Sequence, residues 1–184
     1  MPQQWRVVFM GTPGPAAATL EALLKSPDPV VGVVTQPDRP AGRGQQSTIS
    51  PVCRVAGVNH IPVLAPEKVR APAFLEALAS WQPDVIVVVA YGRILPRSVL
   101  ELAPQGCINV HYSLLPKYRG AAPIPWAIIN GETVSGVTTM RLVEAMDAGP
   151  IFLQEKVALS KDETAASLAV KMVPVGARLL LETI

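Results

Sequence analysis

The chain has 184 residues, of which 49% are hydrophobic and only 16% charged, with a formal charge of +2. That much apolar material excludes a disordered chain, and no apolar run nears the eighteen or so residues of a membrane span, so an integral membrane protein is not expected. Two cysteines and two histidines are too few for a disulfide scaffold or a conventional zinc site, and the start Met1-Pro2-Gln3-Gln4-Trp5-Arg6 has no signal pattern, so a single-domain, metal-free, cytoplasmic protein is expected. Apolar runs predict strands over 5–10, 30–35 and 84–90, separated by helical spacing over 16–25 and 72–81. The run Val85-Ile86-Val87-Val88-Val89 is continuous rather than alternating, which suits a parallel sheet covered on both faces. Further strands are predicted over 107–110, 136–142 and 151–157, then a helix from about Glu163 that Pro174 kinks or ends. The fold class is therefore α/β, a Rossmann-like, doubly wound and mostly parallel sheet.

Ligands of open α/β sheets bind beyond the carboxyl ends of the strands, which directs attention to the loops after Met10, Thr35, Ala90 and Val110. The turn Gly11-Thr12-Pro13-Gly14 lacks the third glycine of G-x-G-x-x-G and the Gly-Lys-Ser/Thr of a P-loop, so it reads as a tight turn rather than a nucleotide site. The segment Thr35-Gln36-Pro37-Asp38-Arg39-Pro40-Ala41-Gly42-Arg43-Gly44 opens an interval without a carboxylate from Asp38 to Glu67 that carries Arg39, Arg43 and Arg54. Such a stretch attracts an anion locally although the total charge is small.

The strongest chemical signal is Asn109-Val110-His111-Tyr112-Ser113-Leu114-Leu115-Pro116. A strand period of two places Asn109 and His111 on one face, where an amide can donate to a developing oxyanion and an imidazole can exchange a proton near neutral pH. Asp147, among small residues in Met146-Asp147-Ala148-Gly149-Pro150, is the carboxylate chosen to orient that histidine. A hydrolase built on Ser113, His111 and Asp147 is a rival, disfavoured because no G-x-S-x-G elbow occurs. The backbone of Gly92, Arg93, Ile94 and Leu95, after the most apolar strand, can read a flat heterocycle. Trp126, within 121–130, reads as packing.

On these motifs, with Arg119-Gly120-Ala121-Ala122-Pro123, the chain resembles the 10-formyltetrahydrofolate-dependent formyltransferases from about Val7 to Val157. The 35–44 segment narrows the likeness to the methionyl-tRNA formyltransferase family, whose tRNA-directed members carry an inserted loop there. The resemblance implies a formyltransferase fold and Asn109, His111 and Asp147 as the catalytic trio. It further implies folate contacts from Ser113, Leu114, Leu115 and Pro116, a pterin wall from Gly92, Arg93, Ile94 and Leu95, and tRNA contacts from Arg43 and, more weakly, Arg39. The implied donor is 10-formyltetrahydrofolate without a metal, and the implied acceptor is methionyl-tRNA; glycinamide ribonucleotide, an amino sugar, or folate binding without turnover are the alternatives. A monomer is expected, spanning residues 1–184 as the catalytic domain, with the family's C-terminal β-barrel domain not represented. The family usually carries an acidic residue and Phe where this chain has Gly14-Pro15, and basic residues where it has Gln45-Gln46.

Overall fold

The structure is a computed structural model and describes residues 4–38, 40–41, 46–47 and 49–184. The chain forms two compact units, Met1–Cys107 and Ile108–Ile184.

In the first unit, β1 (Val7–Gly11), β2 (Val30–Val34), β5 (Val63–Leu64) and β6 (Val85–Val89) run parallel in the order β5-β2-β1-β6. Every residue of β1 and β6 is buried, as their unbroken apolar runs require. Helices α1 (Gly14–Leu23), α2 (Pro51–Val58) and α3 (Pro72–Ser80) lie between them in the chain, and the single turn α4 (Arg97–Leu100) follows β6. Proline stands at one of the first two positions of α1, α2 and α3, where its fixed φ suits the helix and its missing N–H is no loss. The high proline content is thus partly a set of helix starts, not only of loops. Gly32 in β2 lies so close to Trp81 that a Cβ there would sit 2.2 Å from the indole ring.

The ends of the 36–49 segment are fixed by a buried hydrogen bond of 2.9 Å between Thr35 Oγ1 and Ser50 Oγ. Ser50 also caps α2 by accepting from the Cys53 N–H at 3.0 Å. Between those ends, β3 (Pro40–Ala41) pairs antiparallel with β4 (Gln46–Ser47), a two-residue ladder too short to be read from sequence.

In the second unit, β7 (Cys107–His111, whose first residue closes the first unit), β8 (Val134–Arg141) and β9 (Ile151–Ala158) lie in that order, all antiparallel. The expectation of a mostly parallel sheet therefore describes the first unit and not the second. Helix α5 (Pro123–Ile129), again with proline at its start, precedes β8. Trp126 on α5 is half exposed and lies at the surface rather than in the core. Helix α6 (Ala165–Thr183) begins with a reciprocal cap between Thr164 and Ser167 and continues through Pro174, which does not end it.

The packing of α6 settles which face of β7 is free. A Cβ on Gly176 would lie 2.9 Å from Val110 Cγ1 and 3.2 Å from the Tyr112 ring, so the helix backbone lies directly on the Val110 side of the strand. Asn109 and His111, one residue out of phase, point to the other face. Val137, Leu168, Met172, Leu179 and Leu180 complete this core.

Candidate active site

Asn109 and His111 end β7 and are both buried, at 9% and 6% exposure. The Asn109 amide donates to no described residue, so its hydrogens are uncommitted in a nearly closed setting. The His111 ring, in contrast, has a protein oxygen on each side. Nε2 lies 2.9 Å from the Tyr118 carbonyl, which can only accept, so that nitrogen carries a hydrogen. Nδ1 lies 3.6 Å from Asp147 Oδ2, too long for a hydrogen bond but close for a charge pair.

Asp147 stands in the left-handed region at φ 45°, tolerated by Asp better than by most residues. Its Oδ2 accepts the Gly120 N–H at 2.7 Å, and its Oδ1 accepts from no described residue. Two glycines make this possible. Gly120, at φ +89°, supplies a conformation that favours glycine, and Gly149 passes the Arg141 carbonyl so closely that a Cβ would sit 1.9 Å from the oxygen.

The loop after β7 is held by polar contacts that face inward. Ser113 is fully buried and its Oγ donates to the Lys117 carbonyl at 2.5 Å. Thr138 Oγ1 donates to the Ser113 carbonyl at 2.7 Å, and Gln154 Nε2 donates to the Leu115 carbonyl at 2.9 Å. Leu114 packs where a Cβ on Gly136 would otherwise stand, and Pro116 is exposed. With Ser113 bonded to Lys117, and His111 facing Tyr118 and Asp147, the serine-hydrolase reading has no activated nucleophile.

Beyond the loop, Glu132 Oε1 accepts from Tyr118 Oη at 2.5 Å and from Lys117 Nζ at 2.6 Å. These bonds hold the Glu132 carboxyl below its usual range, Lys117 first among the causes and Tyr118 second. The same carboxylate raises the pKa of both Lys117 and Tyr118, favouring their protonated forms. Tyr118, Gly120 and Ala122 alternate in the left-handed region, at φ 58°, 89° and 58°, and this folds the loop back over the histidine.

In the first unit, Gly92 (φ +80°) follows Tyr91, whose carbonyl accepts from Gln36 Nε2 at 2.7 Å. Arg93 spends its guanidinium on the Pro66 and Glu67 carbonyls, at 3.1 and 2.6 Å, so it braces the loop. The N–H groups of Gly92, Arg93 and Ile94 donate to no described residue; Ile94 is 72% exposed and Leu95 is buried. The Tyr91 hydroxyl is buried without a partner among the described residues, and burial pushes its pKa up against the opposing effect of Arg93. Thr12 Oγ1 accepts from the Gln36 N–H at 3.3 Å, so the 11–14 turn is tied to a neighbouring loop, as a structural turn would be. Arg39 and Arg43 lie outside the described residues. Among the described residues no three His, Cys, Asp or Glu side chains gather as metal ligands, and no helix is long and apolar enough to cross a membrane.

His111 and Asp147 are brought within 3.6 Å, and Asn109 shares the strand face of His111, while three groups that hold this arrangement have no counterpart in the sequence reading. The Tyr118 carbonyl and Gly120 N–H are backbone groups with no side-chain signature, although a glycine in Arg119-Gly120-Ala121 hints at a special turn. Glu132 gives no local sign of its role.

A family model described as formyl transferase matches residues 5–184. The methionyl-tRNA formyltransferase of Desulfotalea psychrophila is 59% identical over 97% of this chain and 55% of its own length. That of Trichlorobacter lovleyi is 52% identical over 98% of this chain and 57% of its own length. The chain thus spans little more than half the length of these curated relatives. A solved phosphoribosylglycinamide formyltransferase from Bacillus halodurans matches with a TM-score of 0.80 at 28% identity, covering 97% of this chain and 92% of that one. Glycinamide ribonucleotide transformylase 1 from Symbiobacterium toebii, at 22% identity and a TM-score of 0.83, shares the fold. With a family model over nearly its whole length and an α/β fold common to solved formyltransferases, the chain belongs to the formyl transferase family.

Proposed function

We propose that this chain transfers a formyl group from 10-formyltetrahydrofolate to the α-amine of methionyl-tRNA. The observation that carries the chemistry is the grouping of an uncommitted Asn109 amide with the His111–Asp147 pair at the end of one strand. The acceptor rests on relatives named methionyl-tRNA formyltransferase, 50–59% identical over nearly the whole chain.

When the amine adds to the formyl carbon, negative charge develops on the formyl oxygen, and Asn109 is the donor free to meet it. His111 Nε2 is committed to the Tyr118 carbonyl and Nδ1 faces Asp147 at 3.6 Å without bonding it, so the ring acts on the oxyanion chiefly through the field of its charged form. Direct donation through Nε2 would require the Tyr118 carbonyl to give way. Asp147, with Oδ1 unengaged, can accept the proton that the amine loses on forming the new C–N bond. That proton is returned to the folate nitrogen as its C–N bond breaks, giving N-formylmethionine on tRNA and tetrahydrofolate.

For the donor, the open N–H groups of Gly92, Arg93 and Ile94 beside the orphan Tyr91 hydroxyl suit a heterocycle with many hydrogen-bonding atoms. In the 113–116 loop, Ser113 and the Leu115 carbonyl already have partners, so folate contact there falls to Leu114, Pro116 and the remaining backbone. Arg43 and Arg39 are proposed as tRNA contacts from the family resemblance and the carboxylate-free interval around them.

A transfer to glycinamide ribonucleotide is the second reading, favoured by the 28%-identical solved formyltransferase named for that type of substrate. Labelled formyl donor offered with methionyl-tRNA, glycinamide ribonucleotide and an amino sugar decides between them. Label on methionyl-tRNA is expected; label only on a small amine overturns the tRNA reading, and folate binding without any transfer overturns both.

A further inference from the structure

The His111 ring is held from outside the trio. Its Nε2 has one described acceptor, the Tyr118 carbonyl at 2.9 Å, and that carbonyl points inward because Tyr118 adopts φ 58°, a conformation that non-glycine residues keep only when their surroundings impose it. Glu132 supplies that constraint. Its side chain is 20% exposed, and Oε1 grips Tyr118 Oη at 2.5 Å and Lys117 Nζ at 2.6 Å, while Ser113 Oγ holds the Lys117 carbonyl at 2.5 Å. The two residues that precede Arg119 are thus fixed at both their backbone and their side chains. Releasing the Tyr118 side chain frees its carbonyl to swing, and the ring can then turn its Nδ1 away from Asp147.

We propose that Glu132 and Tyr118 are positioning residues that fix the His111 ring against Asp147 through the Tyr118 carbonyl, and thereby set the rate of formyl transfer. The rate clause rests on the formyl-transfer reading above; the ring clause does not.

The test compares Tyr118→Phe, Glu132→Ala and the conservative Glu132→Gln in the full chain, after thermal melting has shown that each folds. Turnover should fall about ten- to a hundredfold in Tyr118→Phe and Glu132→Ala, with donor KM little changed, as expected for a reacting group misplaced by a fraction of an ångström to an ångström. Glu132→Gln keeps an oxygen for Tyr118 Oη and should restore most of the rate. The ring itself is read by ¹⁵N NMR. The chain has two histidines, so a His60→Gln background assigns the His111 signals. Those signals should move in Tyr118→Phe and Glu132→Ala and stay in place in Glu132→Gln. Unmoved ring signals overturn the proposal, whatever the rates do, and moved signals at unchanged turnover overturn its catalytic part. If the unaltered chain transfers no formyl group to any amine, the functional reading fails, and the ring signals alone decide whether the clamp positions His111.

Discussion

Asp147→Asn separates the charge of the aspartate from its shape. Asparagine matches the side chain in size, tolerates the left-handed backbone that Asp147 occupies at φ 45°, and keeps an oxygen that can accept the Gly120 N–H. What it loses is the negative charge 3.6 Å from His111 Nδ1. At an effective dielectric near 20, the attraction of a carboxylate for a protonated ring at that separation is roughly 4–5 kcal/mol. That figure is a ceiling, because an amide retains part of the interaction as a dipole. Turnover is therefore expected to drop by about a hundred- to a thousandfold, equivalent to ~2.7–4 kcal/mol. Single-turnover transfer of labelled formyl at saturating donor measures it directly, with donor affinity taken from a separate titration. Donor affinity should change little, since the loss concerns a charge that matters when the amine adds. Retention of more than about a third of the unaltered rate would refute the assignment of Asp147 as the charge partner of His111, since that is under 1 kcal/mol.

Asn109→Ala removes the uncommitted donor and should cost about a hundred- to a thousandfold in turnover, with no comparable loss of donor binding; the same single-turnover assay checks it. Gly149→Ala forces a Cβ against the Arg141 carbonyl 1.9 Å away, so backbone must shift where the Asp147 loop returns to β9. Denaturant melts should show a loss of about 1–3 kcal/mol, accompanied by reduced transfer as Asp147 is displaced. At the start of α6, hydrogen bonds from Lys171, Ser167 and the Ser160 backbone lower the Glu163 carboxyl from 4.5 to about 2. A carboxyl depressed in the folded state contributes stability that is complete above the unfolded value and is lost as pH falls toward the folded one. Between pH 4.5 and about 2 the unaltered chain should therefore lose stability more steeply than Glu163→Gln, as read by denaturant midpoints across that window.

What the sequence could convey depended on whether the information sat in side chains close together along the chain. Val85-Ile86-Val87-Val88-Val89 announced a strand buried on both faces because burial alone dictates five apolar residues in a row, and β6 runs Val85–Val89. The alternation of Asn109, Val110 and His111 likewise placed two polar groups on one face, and α6, lying on Val110 through Gly176, leaves that face for chemistry. The antiparallel order of β7, β8 and β9 was not legible, since a short apolar strand reads the same in either direction and only the connections fix it. The same limit explains the site. Asp147 was identifiable as a carboxylate in a loop of small residues, but the Gly120 N–H that holds it and the Tyr118 carbonyl that holds His111 are backbone groups, which every residue possesses. Glu132 lies fourteen residues from Tyr118, across a proline-started helix, so neither periodicity nor a motif links them. A histidine recognised from sequence as a proton carrier is in the fold a ring with both nitrogens facing oxygen. Under the proposed formyl transfer, that difference makes Asn109 the donor with no described partner to displace, and makes the orientation of His111, rather than its mere presence, the property on which the rate should depend.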